Sequence, residues 1–328
     1  MKNQRFPSFS GKTIGAFGGL YLVLIYCVLA TGADAITRTF SHGFEAPQLF
    51  CFSGAIVAAL SALSVLRTNS TRKFRTLRPR TMALRSLFFI LCSLFYFAAF
   101  RALPFAEVFV FIAFVPIFAA LLSYPILGEP VRWQSWIALI AGAGGMVLLY
   151  PEGLAAFTWA HLCAFLGALT GATAMVLARH ISKDDKNALL QVLYPNIAIC
   201  LVMACILPFV YKPMSLLDVL MVISYASLLF LARWVLVLAL SHMKAYVVTL
   251  LINFQFVIMV LVGALIFGES PTVNLIAGAL VIIFAGAYLV LDEWLADRFA
   301  GRAKAMSKFT HLDERFVTRR KPQKGQIA

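Results

Sequence analysis

Ten apolar runs of about 18 to 24 residues divide this 328-residue chain, and their length leaves it little choice of fold. A helix rises ~1.5 Å per residue, so each run is long enough to cross ~30 Å of hydrocarbon. No water satisfies the backbone inside a bilayer, so runs of this kind must be helical. They fall at residues 14–33, 47–66, 83–100, 105–127, 133–150, 159–178, 189–209, 216–240, 245–267 and 273–291. Hydrophobic residues make up 62% of the sequence and charged ones 13%, which leaves little chain for a soluble domain. The first run is of full span length and lacks a small-residue cleavage site, so it reads as a span and not as a signal peptide.

A net charge of +14 would suit a nucleic-acid binder, but the charges are distributed for a membrane. One set of alternate segments carries Lys2, Arg5 and Lys12, then Arg67, Arg72, Lys73, Arg75, Arg78, Arg80 and Arg85. Arg132, then Arg179, Lys183 and Lys186, then Lys244 follow on the same side, and the tail adds nine more from Arg298 to Lys324. The opposite side receives only Arg38, Arg101 and Lys212. By the positive-inside rule both termini are cytoplasmic, in a multi-pass protein of the cell inner membrane. Neither basic cluster has an aromatic stacking platform, so nucleic acid is not an expected partner. All six cysteines lie inside predicted spans with no CxxC pair, so no disulfide and no metal is expected.

The same punctuation occurs twice. One run ends in Ile126-Leu127-Gly128-Glu129-Pro130, and 140 residues later another ends in Ile266-Phe267-Gly268-Glu269-Ser270-Pro271. Each is followed by a Gly-rich apolar span, IALIAGAGGMVLLY and then LIAGALVIIFAGAYLVL. Lining up these turns pairs spans one to five with spans six to ten. Five is odd, so the second copy lies upside down relative to the first, about a pseudo-two-fold axis in the membrane plane. The fold expected is all-α, with ten transmembrane helices in two inverted five-helix repeats. Its parts are a cytoplasmic N-terminus (1–13), a first repeat (14–150), a second (159–292) and a basic cytoplasmic tail (293–328).

This twofold pattern resembles the EamA-type, ten-helix members of the drug/metabolite transporter superfamily. RSLFFILCSLFYFAAFRALPFAEVFVFIAFVPIFAALLSYPILGEPVRWQSWIALIAGAGGMVLL is similar to spans three to five of that family, with Ala-Leu-Pro leading into span four and Pro116 within it. FQFVIMVLVGALIFGESPTVNLIAGALVIIFAGAYLVL is similar to spans nine and ten. Asp34-Ala35-Ile36-Thr37-Arg38 resembles the subgroup containing bacterial riboflavin and S-adenosylmethionine carriers. The second copy departs by placing Phe256 where the first has Pro116, which removes the expected kink from span nine.

Several polar residues stand inside or at the edge of spans. In the turns, Gly128 and Gly268 can end a helix in the left-handed conformation. Glu129 and Glu269 then sit near the positive end of the next helix, as structural caps or, alternatively, in a substrate or proton role. Arg233 has mostly apolar neighbours on both sides, and an ionised group at mid-bilayer costs roughly 2.5–3.5 kcal/mol. It is read as a fixed charge facing a central cavity or as partner to a buried carboxylate, with snorkelling as the alternative. Asp34 and Arg38 share one face of span one and are candidates to hold a charged solute or simply to pair. Glu107 enters span four beside Arg101. Asn253 and Gln255 bring amides into span nine, for a polar ligand or for helix-to-helix bonding. Tyr96, Phe97, Phe100, Phe109, Phe111 and Phe114 concentrate aromatic rings across spans three and four, as packing or as a stacking surface. Gly142, Gly144, Gly145, Gly278 and Gly286 read as close-packing positions, and the Gly167–Gly171 GxxxG step as packing or a homodimer surface.

The resemblance implies a secondary transporter of a small organic metabolite, working by alternating access through a cavity lined by spans one, three, four, six, eight and nine. A vitamin or nucleoside-like cofactor such as riboflavin is the first expectation for the solute, and export of amino acids or related metabolites the second. No loop of the GxxxxGK[ST] type occurs, so ATP is not the direct energy source, and no cofactor is expected. A membrane-embedded enzyme is the competing class, but His161 and His242 are isolated near span ends and no nucleophile motif accompanies them.

Overall fold

The computed structural model describes residues 16–40, 44–67, 74–103, 108, 111–112, 114–148 and 158–258, with 273, 277–278, 280–281, 283–289 and 291–292. Glu107, Gly268, Glu269, the N-terminus 1–13 and the tail 293–328 lie outside the described residues, as do the side chains of Asp34 and Arg38. Nine helices follow in order among the described residues: α1 (Ala16–Phe40), α2 (Ala46–Arg67), α3 (Pro79–Ala102), α4 (Val115–Leu127), α5 (Trp133–Leu148), α6 (Trp159–Asp184), α7 (Ala188–Val210), α8 (Leu216–His242) and α9 (Ala245–Ile252). Helix also occurs at 254–258, beyond α9, and at 283–289 in the tenth apolar run. Of these, α2, α3, α6, α7 and α8 are each long and apolar enough to cross a bilayer. The protein is an all-α integral membrane protein with ten spans in two repeats.

Helix packing carries the signature of the duplication. The most extensive contacts join α2 to α7, α3 to α6, α1 to α8, α4 to α6 and α4 to α9. Every one of these pairs links the first repeat to the second. Exchanging each helix for the one five places along turns α3–α6 into α8–α1, α2–α8 into α7–α3 and α4–α6 into α9–α1, all of which are packed pairs. The same exchange returns α2–α7 and α4–α9 to themselves. That is the contact pattern of a two-fold axis between the copies.

The helix ends are fastened by side chains suited to each position. Pro79 opens α3, where a missing amide hydrogen costs nothing. At the start of α6, Thr158 donates its backbone N–H to His161 Nδ1 at 3.0 Å, so this histidine belongs to a capping box. Ser215 and Asp218 do the same for α8, with Ser215 N–H donating to Asp218 Oδ2 at 2.9 Å. The α2–α7 pair is locked at both ends. At one end Asp185 Oδ2 accepts from Thr76 Oγ1 at 3.0 Å and from the Leu77 N–H at 3.1 Å, and Tyr194 donates to the Phe74 carbonyl at 2.6 Å. At the other, Gln48 brackets Lys212, donating to its carbonyl at 2.8 Å and accepting from its N–H at 3.0 Å.

Span nine departs from the sequence expectation. It is interrupted at Asn253 even though Phe256 stands in place of proline. The Asn253 N–H turns back to the Leu250 carbonyl at 3.1 Å, and the Asn253 carbonyl accepts from the Phe256 N–H at 3.1 Å. These short-range bonds make the break without a proline. Cys27 of α1 points its thiol at the Leu251 and Ile252 carbonyls, 3.9 and 3.8 Å away. In the first copy the corresponding turn is at Phe114, whose N–H bonds the Phe111 carbonyl at 3.0 Å.

Glycines let the repeats approach each other. A Cβ added at Gly167 would lie 2.9 Å from the Tyr96 ring, and one at Gly171 would lie 3.0 Å from Cys92 Sγ. The GxxxG step therefore faces α3 within the chain and is not available as a dimer surface. Gly142 meets Leu250 of α9, and Gly286 meets the Phe254 ring, so both serve internal packing. By contrast, nothing lies within 4 Å of a Cβ built on Gly144. Gly167→Val should therefore destabilise the detergent-purified protein by about 1–3 kcal/mol through overpacking, measured as thermal unfolding. Gly144→Ala should leave the transition within ~0.5 kcal/mol of wild type.

Candidate functional site

Proline at 195 sits inside α7 and has no amide hydrogen to give. The carbonyl four residues back, that of Gln191, therefore lacks its helical donor. Arg85 of α3 supplies one from Nη1. The sequence reading counted Arg85 among the charges of a cytoplasmic segment. The structure instead places it six residues into α3, roughly 9 Å along the helix axis, and half-buried in the bundle. A proline four residues after a glutamine was the available signal, but nothing in the sequence says which helix will answer it.

One residue beyond the proline, Asn196 is 1% exposed. Its Nδ2 donates to the Val192 carbonyl of its own helix at 2.6 Å, which turns Oδ1 away from α7. Arg233 of α8 donates Nη1 to that oxygen. The Arg233 guanidinium also lies over Phe89, 4.9 Å from the ring centroid, as a cation–π contact. Phe89 is one helical turn from Arg85 on the same face of α3. Arg233 is thus within electrostatic range of Arg85 and also of Tyr26 of α1 and Tyr225 of α8. The cluster draws on α1, α3, α7 and α8, so span seven joins the spans expected to line the centre. Helices α3 and α8 are exchanged by the pseudo-two-fold, and each contributes one arginine.

The other sequence candidates are dispersed. Tyr96 packs its ring against Gly167 of α6. Asn253 is 5% exposed at the break in span nine, and its Nδ2 has no hydrogen-bond partner. Gln255 follows in the short helical stretch beyond that break and is half-buried. Neither amide is among the contacts of Arg233. Asp34 and Arg38 belong to α1, and their side chains lie outside the description, as do Glu107, Gly268 and Glu269.

Gly128 ends α4 with φ 65°, the left-handed conformation that favours glycine. The carboxylate of Glu129 then turns to α6, where Oε1 accepts from Arg179 Nη2 at 3.2 Å and pairs with Lys183 Nζ at 3.0 Å. Arg179 Nη1 also donates to the Leu240 and Ser241 carbonyls at 3.0 Å each, capping α8. Lys183 donates to the Leu127 carbonyl at 2.9 Å. One carboxylate thus ties together the ends of α4, α6 and α8. Glu129 and Arg179 side chains are each 15% exposed, whereas Lys183 is 35% exposed.

The sequence model of the EamA-like transporter family matches this chain twice, over residues 17–150 and 158–292. No curated protein matches it by sequence. One solved structure, titled only "Crystal structure of protein", superposes with a TM-score of 0.70 at 17% identity, over 86% of this chain and 99% of its own. That likeness is one of fold. The double match shows that the chain belongs to the EamA-like transporter family, whose members are membrane transporters of small solutes.

Removing one partner of a desolvated ion pair strands the other, so Glu129→Ala should lower stability by about 3 kcal/mol. Lys183→Gln, at the more exposed position, should cost no more than ~1 kcal/mol. Thermal unfolding of the two variants in detergent checks the ranking.

Proposed function

We propose that this EamA-family chain is a secondary carrier that moves a small organic metabolite across the cytoplasmic membrane by alternating access. The observation that supports it most is the placement of the Arg85–Arg233–Asn196 cluster. It lies between helices of the two repeats, on α3 from one and α7 and α8 from the other. A solute held there touches both copies, and rocking one copy against the other would expose it to each side in turn.

Both termini are cytoplasmic in this reading, on the strength of the lysine and arginine asymmetry. Reporter fusions at Arg75 and after Arg302 should report cytoplasm, and one at Glu152 the outside. Within the carrier class, the Asp34–Arg38 stretch favours a vitamin or nucleoside-like cofactor such as riboflavin over amino-acid export.

Carriers and channels differ in counterflow. Purified protein in liposomes preloaded with unlabelled solute should accelerate entry of the labelled solute, with a rate that saturates. A metabolite panel that includes riboflavin and amino acids supplies the solutes. Linear, non-saturating flux would identify a channel, and conversion of the solute to product an enzyme.

A further inference from the structure

Two arginines, Arg85 and Arg233, stand inside the bundle, one from each repeat. Among the described residues neither Arg85 nor Arg233 forms an ion pair; the ion pairs there involve Arg78, Arg132, Arg179 and Lys183. Each arginine also leaves most of its hydrogen-bonding capacity unused. A guanidinium has about five N–H donors, and among the described residues the bonds of Arg85 and Arg233 are one apiece, to the Gln191 carbonyl and to Asn196 Oδ1. Their remaining nitrogens are not among the buried polar atoms sealed from solvent, a group that does include Arg179 Nε and Asn253 Nδ2. Both arginines are half-buried and not sealed within the bundle.

Like charges gathered in a desolvated interior repel, since a low dielectric magnifies the interaction. A purely structural cap on the Gln191 carbonyl needs neither a full charge nor a second arginine beside it. The Gln191 carbonyl and Asn196 Oδ1 orient the two guanidinium groups but do not neutralise them. An anion gripped by both forks, as carboxylates and phosphates are gripped, would balance the pair.

We infer that Arg85 and Arg233 form an anion-binding subsite, and that the solute this protein carries bears a carboxylate or phosphate group held between them. One arginine comes from each repeat, so the anion bridges the two copies. Its arrival relieves the repulsion between α3 and α8, and its departure restores it. The inference rests on the carrier reading and narrows its substrate to an anionic metabolite, such as a phosphorylated or carboxylated cofactor, in place of neutral riboflavin.

The test starts with binding in a non-ionic detergent, where no transport is needed. Succinate is compared with succinamide, and glycerol 3-phosphate with glycerol, as ligands that raise the melting temperature. Saturable protection by succinate, by glycerol 3-phosphate or by both, with none from the neutral twins, is expected, and the two arms separate carboxylate from phosphate recognition. Arg85→Gln and Arg233→Gln should each weaken that protection at least tenfold in apparent Kd. Arg85→Lys and Arg233→Lys, which keep the charge and lose the fork, should fall between. No protection by either anion, equal protection by the neutral twins, or wild-type affinity in a well-folded Arg233→Gln protein would overturn the subsite. Counterflow in liposomes separates the two ideas. Carriage of a neutral solute without anion binding would sink the subsite and leave the carrier standing, whereas anion binding without counterflow of any panel solute would do the reverse.

Discussion

A single absent hydrogen organises much of the centre of this protein. Pro195 has no amide N–H, and in hydrocarbon a bare carbonyl costs too much to leave alone. The Gln191 carbonyl is therefore met by a cation from another helix, which brings Arg85 into the bundle. Asn196, the next residue, folds its amide nitrogen back onto its own helix and so presents an oxygen to Arg233. One irregular turn of α7 thereby collects a charge from each repeat.

The charges at the basic end of the bundle are handled in another way. There Glu129, Asp184 and Asp185 meet Arg179, Lys183, Arg78 and the Thr76–Leu77 backbone, so each of these three cations has a carboxylate to engage. The two arginines in the middle thus differ from Arg78, Arg179 and Lys183, each of which is paired with a carboxylate.

Much of the scaffold was legible in the residues. Ten runs of span length and two Gly-Glu turns 140 residues apart were enough for an all-α fold of two copies, because run length and helix punctuation are local properties. The site was only half legible. Arg233 stood out because its sequence neighbours are apolar, but Arg85 was hidden among the cytoplasmic charges, since depth in a membrane is not visible in a basic segment. The span-nine break was missed because a turn held by short-range hydrogen bonds at Asn253 needs no proline to announce it. The GxxxG step signalled close packing without its partner, and the partner turned out to be α3 of the same chain.

The dominance of contacts between the copies bears on how the chain is made. Synthesis delivers the first five spans before their partners exist; α1, α2 and α3 find their principal neighbours only in α8, α7 and α6, and α4 in α6 and α9. The earliest helix waits longest, until the eighth has been inserted. The half-finished protein must therefore hold polar groups such as Gln48 and Arg85 in the membrane without the backbone carbonyls that later receive them. Among the described residues most of the packing forms between the repeats, so assembly converges late.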